Sequence, residues 1–225
     1  MSIRITTINL GGVNSYLADC GDGFVLIDAA FSAKRKQLVG ALNAAGCTPG
    51  RLKLLLLTHG DVDHTGNAAF FQREYKAKVA MHADDVGMAE RGDMGWNRKR
   101  KSDSMSVRMK VMMFLVGIVL KKRTFETFTP DILVDEGFDL SKYGLDAQVV
   151  CLPGHSKGSI GVLTREGDLY CGDFLYGIPG LRFVDNAKEH DESAKKLRSR
   201  SIRAIYPGHG KPFGKETVPR LLNTV

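Results

Sequence analysis

The sequence has few cysteines, a single tryptophan and no hydrophobic run long enough to span a bilayer. Its four cysteines are scattered without a C-x-x-C pair, which argues against a zinc knuckle or a redox motif. The ten-residue apolar run at 111–120 is about half of the roughly 20 residues that a membrane helix needs. The opening residues, MSIRITTINL, lack the apolar region of a signal peptide. We therefore expect a protein of the reducing cytoplasm.

The positive charge of the chain is concentrated in one segment. The chain has 225 residues, 43% of them hydrophobic, and a formal net charge of +7. Residues 91–123 contain ten Lys or Arg and two Asp, so the rest of the chain is close to neutral. A nucleic-acid binder would show a wider basic face, and we expect no nucleic-acid partner. Length and apolar content predict a single domain over 1–225, with a helical insertion at about 86–128.

The insertion has basic residues on both sides of its apolar run. We interpret it as a helix pair that packs on the domain and borders its functional site, where it would favour acidic or amphiphilic substrates. Two further roles stay open for this segment: contact with a membrane surface through residues 108–123, and contact between the copies of a homo-oligomer.

Histidine and aspartate recur in short Gly-rich loops that follow apolar strands. The stretch THGDVDHTGN at 58–67 follows RLKLLLL, and three later loops have the sequences LPGHSKGS, YCGDFLYG and YPGHGKPF. Imidazole and carboxylate groups together suit Zn²⁺, Fe or Mn²⁺, and seven are enough for two ions about 3.5–4 Å apart. The seven candidate ligands are His59, Asp61, Asp63, His64, His155, Asp173 and His209.

Taken in this order, the motifs resemble those of the metallo-β-lactamase superfamily. That family has an H-x-H-x-D-H motif after a buried strand, then a PGH loop, a GD loop and a last histidine. This chain has H-x-D-x-D-H at 59–64, followed at intervals of 91, 18 and 36 residues by His155, Asp173 and His209. The resemblance implies an α/β fold, a four-layer αββα sandwich with the metals at one edge between the sheets. The strand blocks in both halves, with helices between them, agree with that architecture.

The resemblance also implies a ligand set for a dinuclear metal centre. A first ion would take His59, Asp61 and His155, a second ion would take Asp63, His64 and His209, and Asp173 would bridge them. Both ions are expected to be divalent, zinc first, with manganese or iron as alternatives. Asp28 matches an acidic position that supports the ligands in the family.

The activity implied is that of a metallo-hydrolase, in which a metal-bound hydroxide attacks a small-molecule ester, thioester or lactone. Asp63 would serve catalysis by orienting the attacking water. Tyr176 and Arg182, in the segment FLYGIPGLRF after Asp173, are expected to bind substrate.

Asp61 departs from the family pattern, which has a histidine at that position. In an extended loop Asp61 faces the same way as His59, so it can still reach a metal. With three carboxylates, two divalent ions and one hydroxide, the site would be neutral, whereas the three-histidine version would keep one positive charge. Such a site should favour harder ions and acidify water less. Two alternatives stay open: Asp61 accepts a hydrogen bond beside the ligands, or it fails to reach and leaves one strongly bound metal.

Two other functions remain as alternatives to the hydrolase. One is a mononuclear non-haem iron oxidoreductase of the same superfamily, resembling its persulfide dioxygenases, with His59, His155 and Asp173 as ligands. The complete second ligand set argues against it. The other is a non-catalytic binding protein associated with a membrane through Val111 to Leu120.

Overall fold

The computed structural model describes residues 4–98, 102–111 and 125–214. Thirteen strands lie in these ranges, and none is longer than six residues. In chain order they are β1 Arg4–Asn9, β2 Asn14–Asp19, β3 Phe24–Ile27, β4 Leu52–Leu56, β5 Lys78–His82, β6 Ser104–Met105, β7 Ile132–Val134, β8 Ala147–Cys151, β9 Ile160–Thr164, β10 Asp168–Gly172, β11 Phe183–Val184, β12 Ala204–Pro207 and β13 Phe213–Gly214.

The helices connect the strands and lie outside the sheets. They are α1 Arg35–Ala44, α2 Val62–Thr65, α3 Ala68–Glu74, α4 Val86–Arg91 and α5 Ala187–Arg198. Residues 107–111 are also helical. Asn67 stands at the N-terminal cap position of α3, where an asparagine side chain commonly caps a helix. The Asn67 side chain makes no cap hydrogen bond and instead donates to the carbonyls of Ala29 and Phe31, which fixes the loop after β3.

Two sheets form the centre of the fold. One has six strands in the order β1-β2-β3-β4-β5-β7, and the other has five in the order β13-β12-β10-β9-β8. Strands β3, β4, β5 and β7 run parallel to one another, and β10 runs parallel to β12. A small third sheet pairs β6 with β11.

Successive side chains of each strand point to opposite faces of its sheet, and the buried ones form three apolar layers. On β4, Leu54 and Leu56 face the layer between the two large sheets, while Leu55 faces the layer under α1 and α3. A third layer packs the second sheet against α5 through residues such as Leu197 and Ile205. Helix, sheet, sheet and helix therefore follow one another, which confirms the predicted αββα sandwich.

Parallel strands place the loops of interest at one edge of the sandwich. Asp28 follows β3 and His59 follows β4, and these parallel neighbours end side by side. In the second sheet, Asp173 follows β10 and His209 follows β12, which are again parallel neighbours. Because carboxyl ends of parallel strands share an edge, residues far apart in sequence converge there.

The described part of the insertion lies against this edge. Strand β6 pairs with β11, Ser106 donates its backbone N–H to Arg182, and Arg108 donates to the carbonyl of Pro179. A two-residue strand thus stands inside a segment predicted to be helical. The central part of the apolar run, 112–120, lies outside the described residues. Among the described residues, no helix is both long and apolar enough to cross a membrane.

Candidate metal centre

The seven predicted ligands come together in two adjacent groups. His59, His155 and Asp173 offer ligand atoms within 4.8 Å of one another, and Asp63, His64 and His209 do the same. The seventh candidate ligand, Asp61, joins the first group, since its Oδ2 lies 3.6 Å from His59 Nε2 and 3.1 Å from His155 Nε2.

Asp173 lies between the two groups. Its Oδ1 is 3.3 Å from His64 Nε2, and its Oδ2 is 3.3 Å from His209 Nε2 and 4.0 Å from His155 Nε2. Asp63 Oδ2 is 3.1 Å from His209 Nε2 on the second side. One carboxylate therefore faces ligands of both groups.

Asp28 and Thr58 orient the first two histidines. His64 Nδ1 is 2.8 Å from Asp28 Oδ2, and since a carboxylate only accepts, Nδ1 carries the proton. The Thr58 hydroxyl donates to Asp28, so it accepts from His59 Nδ1 at 3.0 Å. Both histidines consequently direct Nε2 toward the centre, where it can bind a metal ion or, without one, a second proton.

Backbone carbonyls orient the other two histidines in the same way. His155 Nδ1 donates to the carbonyl of Phe183 at 3.3 Å, and His209 Nδ1 donates to the carbonyl of Gly12 at 2.5 Å. Four Nε2 atoms thus face one another and three carboxylates. Such a set is stable only when positive charge lies among the carboxylates, either as protons on the imidazoles or as a metal ion.

Buried polar atoms without hydrogen bonds also indicate that the centre holds a cation. His59 Nε2, His64 Nε2 and Asp173 Oδ1 are fully buried and lack a hydrogen-bond partner among the described residues. Unpaired buried polar atoms are rare in proteins, and a metal ion would satisfy all three. The donor set of imidazole nitrogen and carboxylate oxygen fits a divalent transition metal.

The pKa shifts show that the centre attracts positive charge. Burial alone would lower the pKa of His209, but Asp173 and Asp63 outweigh burial and raise it to about 10. Burial would likewise lower the pKa of His64, yet Asp28 and Asp173 hold it well above its usual value. Burial opposes ionisation of Asp173 as well, and His209 and His64 keep the pKa of that carboxyl well below its usual range.

Arg98 is a member of the site that the sequence did not reveal. Its Nη2 lies 2.5 Å from Asp61 Oδ1, and its Nη1 donates to the backbone carbonyl of His155. Burial opposes ionisation of Asp61, but Arg98 and the neighbouring histidines hold the pKa of its carboxyl well below the ordinary value. Asp61 therefore divides its two oxygens between the guanidinium and the histidine pair.

Asp85 is a second residue missing from the sequence-based prediction. It is fully buried and accepts hydrogen bonds from the backbone of Gly60 and Gly158 and from the Ser156 hydroxyl. These donors belong to the loops that carry His59 and His155. An aspartate outside every motif therefore fixes two ligand loops to one another.

Close packing leaves no room for side chains beside the ligands. A Cβ on Gly208 would lie 2.4 Å from Asp173 Oδ1 and 2.6 Å from His64 Cε1, and one on Gly172 would lie 2.4 Å from Thr58 Oγ1. Gly172 also has a φ of 52°. The glycines of the GD and PGHG loops are therefore required by the approach of two strand ends to the centre.

The two residues predicted to bind substrate line a neighbouring cavity. Tyr176 and Arg182 border a space of about 390 Å³, together with Leu175, Ile178, Lys211 and Phe213. The Tyr176 ring stacks on His209 with ring centres 5.9 Å apart, and its hydroxyl donates to Asp173 Oδ2 at 3.1 Å. Tyr176 is therefore the wall shared by the cavity and the candidate centre.

Comparison with known proteins identifies the family. The model of the metallo-beta-lactamase superfamily matches residues 8–209, so this chain belongs to that superfamily, as the sequence predicted. The structure titled TTHA1623 in a di-iron-bound form is 25% identical, with a TM-score of 0.69, and the match covers 99% of this chain and all of that one.

Two curated relatives are similar over much of this chain. The acyl-coenzyme A thioesterase MBLAC2 of Bos taurus is 26% identical over 188 residues, which are 80% of this chain and 63% of the relative. The hydroxyacylglutathione hydrolase of Shewanella pealeana is 26% identical over 192 residues, which are 84% of this chain and 53% of the relative. The chain thus spans less than two thirds of the length of each relative.

Proposed function

We propose that this protein is a metal-dependent hydrolase of small-molecule esters, with thioesters as the preferred class. The observation that carries the proposal is the convergence of four imidazole Nε2 atoms and three carboxylates in one buried place. The di-iron title of one structural relative and the thioesterase and hydrolase names of two curated relatives support it.

The ligand assignment follows the two groups. His59, Asp61 and His155 would hold one divalent ion, Asp63, His64 and His209 would hold the other, and Asp173 would bridge them. Zinc fits this mixed set of nitrogen and oxygen ligands best, and iron or manganese fits it next. When bound, the ions supply Lewis-acid activation of water and of the substrate carbonyl.

Asp63 and Tyr176 provide the proton chemistry of the chain itself. The Asp63 side chain is 19% exposed, the most accessible of the three ligand carboxylates, and its carboxylate can accept a proton from the attacking water. Burial and the nearby Asp173 raise the pKa of Tyr176 well above its usual value. Its hydroxyl therefore stays protonated at neutral pH, and its single proton, which Asp173 accepts in this structure, would turn to the oxygen of a developing oxyanion.

The cavity beside Tyr176 supports an acyl substrate. Its walls include Leu175, Ile178 and Phe213, which offer an apolar surface to a hydrocarbon chain, while Arg182 and Lys211 can face an anionic group. An amphiphilic acyl thioester combines these two features.

The oxidoreductase alternative uses only part of the candidate centre. His59, His155 and Asp173 do form a compact group that could hold one iron. The second group of Asp63, His64 and His209 would then have no role, although its histidines are oriented just as firmly. The two complete groups favour a dinuclear hydrolase.

A hydrolysis assay tests the proposed function. The purified protein, loaded with Zn²⁺, Mn²⁺ or Fe²⁺, would be given acyl-coenzyme A thioesters, p-nitrophenyl esters, lactones and phosphodiesters. We expect turnover of thioesters that a chelator abolishes and added metal restores. Asp63→Asn should lower kcat by about 100-fold, because the proton acceptor and a carboxylate ligand of the second ion are lost together.

Asp22→Asn is the matched control, since Asp22 is an exposed surface aspartate paired with Lys53. It should hydrolyse the same substrates at the rate of the parent. Absence of turnover on every substrate class with every metal would refute the hydrolase, and oxygen uptake with a persulfide would support the iron oxidoreductase instead.

A further inference from the structure

Arg98 is an internal cation at the one position where this chain departs from the family motif. The motif has histidine where this chain has Asp61, and Arg98 Nη2 lies 2.5 Å from Asp61 Oδ1. The two side chains are 10% and 9% exposed, so water screens their interaction only weakly. A guanidinium stays protonated in proteins, so its charge is permanent.

Several contacts fix Arg98 in this place. Nη1 donates to the carbonyl of His155, Nη2 lies 3.4 Å from His155 Nε2, and the guanidinium carbon lies 5.1 Å from the centre of the Phe183 ring. The residue thus contacts the H-x-D-x-D-H loop, the PGH loop and β11 together. A side chain held by three elements has a defined position, unlike a flexible surface arginine.

The charges of the pair cancel within the metal centre. Three carboxylates give this centre one more negative charge than a centre with histidine at position 61 would have. The positive charge of Arg98 returns the net charge of the centre to the value that it would have with histidine at position 61. The geometry also leaves Asp61 Oδ2 directed at His59 and His155, at 3.6 and 3.1 Å, so one oxygen remains available to an ion.

We propose that Asp61 and Arg98 act as a unit in place of the family histidine, in which Arg98 sets the affinity of the His59–His155 half for a divalent ion. Asp61 supplies the ligand atom, and Arg98 cancels its additional charge and holds its other oxygen. Arg98 is a positioning residue, because it acts through Asp61. The inference rests on the metal centre of the proposed function.

Zinc affinity of paired variants tests this proposal. Dissociation constants for Zn²⁺ would be measured on the full chain by competition with a chromophoric chelator, and bound zinc would be counted by mass spectrometry. Arg98→Met should bind the more weakly held ion at least about tenfold more tightly, because a nearby positive charge is lost. Asp61→His should bind it at least about tenfold more weakly, because Arg98 then lacks its counter-charge.

The double variant separates charge compensation from a structural effect. Asp61→His with Arg98→Met restores the neutral histidine without the extra cation, so its affinity should return to within about threefold of the parent. Arg98→Lys, which keeps the charge, should also stay near the parent. Circular dichroism would check the folding of each variant, and Arg98→Gln serves as a second neutral variant if Arg98→Met fails to fold.

The outcomes distinguish the proposal of a metal centre from the proposal that Arg98 sets its affinity. A parent protein that binds no zinc would refute the metal centre and, with it, the role of Arg98. A parent that binds zinc, with unchanged or weaker binding in the neutral Arg98 variants, would overturn the role of Arg98 alone. A double variant that binds no better than Asp61→His would overturn it as well.

Discussion

At the scale of single residues, the centre depends on which nitrogen of each histidine carries the proton. Asp28 decides this for His64 directly and for His59 through the Thr58 hydroxyl. Asp28 has a φ of 61°, a conformation that aspartate and asparagine tolerate better than most residues. Replacement by asparagine is therefore a clean test of the carboxylate.

Asp28→Asn should weaken metal binding by about 10–100-fold. The amide supplies only one acceptor oxygen for three donors, so the tautomer and orientation of His64 are no longer fixed. The measurement is the dissociation constant for Zn²⁺, with Asp22→Asn as the surface control. Equal zinc affinity in Asp28→Asn and the parent would contradict this role of Asp28.

The sequence predicts the ligand residues more readily than their supporting contacts. His59, Asp63 and His209 stand in short motifs beside glycine, and each motif ends an apolar strand. Arg98 stands in the run NRKRK at 97–101, where basic residues are typical of a solvated face, and its contact with Asp61 crosses 37 positions of the chain. Only in the folded chain does Arg98 reach Asp61.

At the scale of structural elements, Asp85 joins two ligand loops. It accepts from the Gly60 N–H at 3.0 Å, the Gly158 N–H at 2.9 Å and the Ser156 hydroxyl at 2.7 Å. Without the carboxylate, these buried donors would lose their acceptor. The loops after β4 and β8 would then lose one of the contacts that hold them together.

Asp85→Ala should lower the free energy of unfolding of the metal-free protein by about 2–4 kcal/mol. Urea unfolding followed by circular dichroism measures this loss. Asp84→Ala is the matched control, because its neighbouring carboxylate is partly exposed and pairs with Lys157 at the surface. A loss in Asp85→Ala no larger than that in Asp84→Ala would show that the buried network contributes little.

The local pattern of apolar and polar residues predicts most of the strands and helices. The leucines of β4 predict a strand buried on both faces, and the structure places Leu54 and Leu55 in different apolar layers. The pairing of β6 with β11 could not be predicted, because each strand has only two residues and their alternation carries no signal. Asn67 likewise had the sequence position of a helix cap, but loop carbonyls compete for its amide.

At the scale of the whole molecule, the centre lies where the two sheets meet. Asp28 and His59 come from one sheet, and Asp173 and His209 come from the other. Tyr16 and Asn14 of the first sheet donate to the carbonyl of Pro207, which fixes the loop of His209 across the interface. An ion held by residues of both sheets would therefore link the two halves of the sandwich.

The most direct test of the account is the metal content of the protein purified without added metal or chelator. Inductively coupled plasma mass spectrometry would give the identity and number of ions per chain, with His59→Ala and His64→Ala as variants that each remove one ligand from one group. The account predicts about two divalent ions per chain in the parent and about one in each variant. One ion or fewer in the parent would contradict the dinuclear centre.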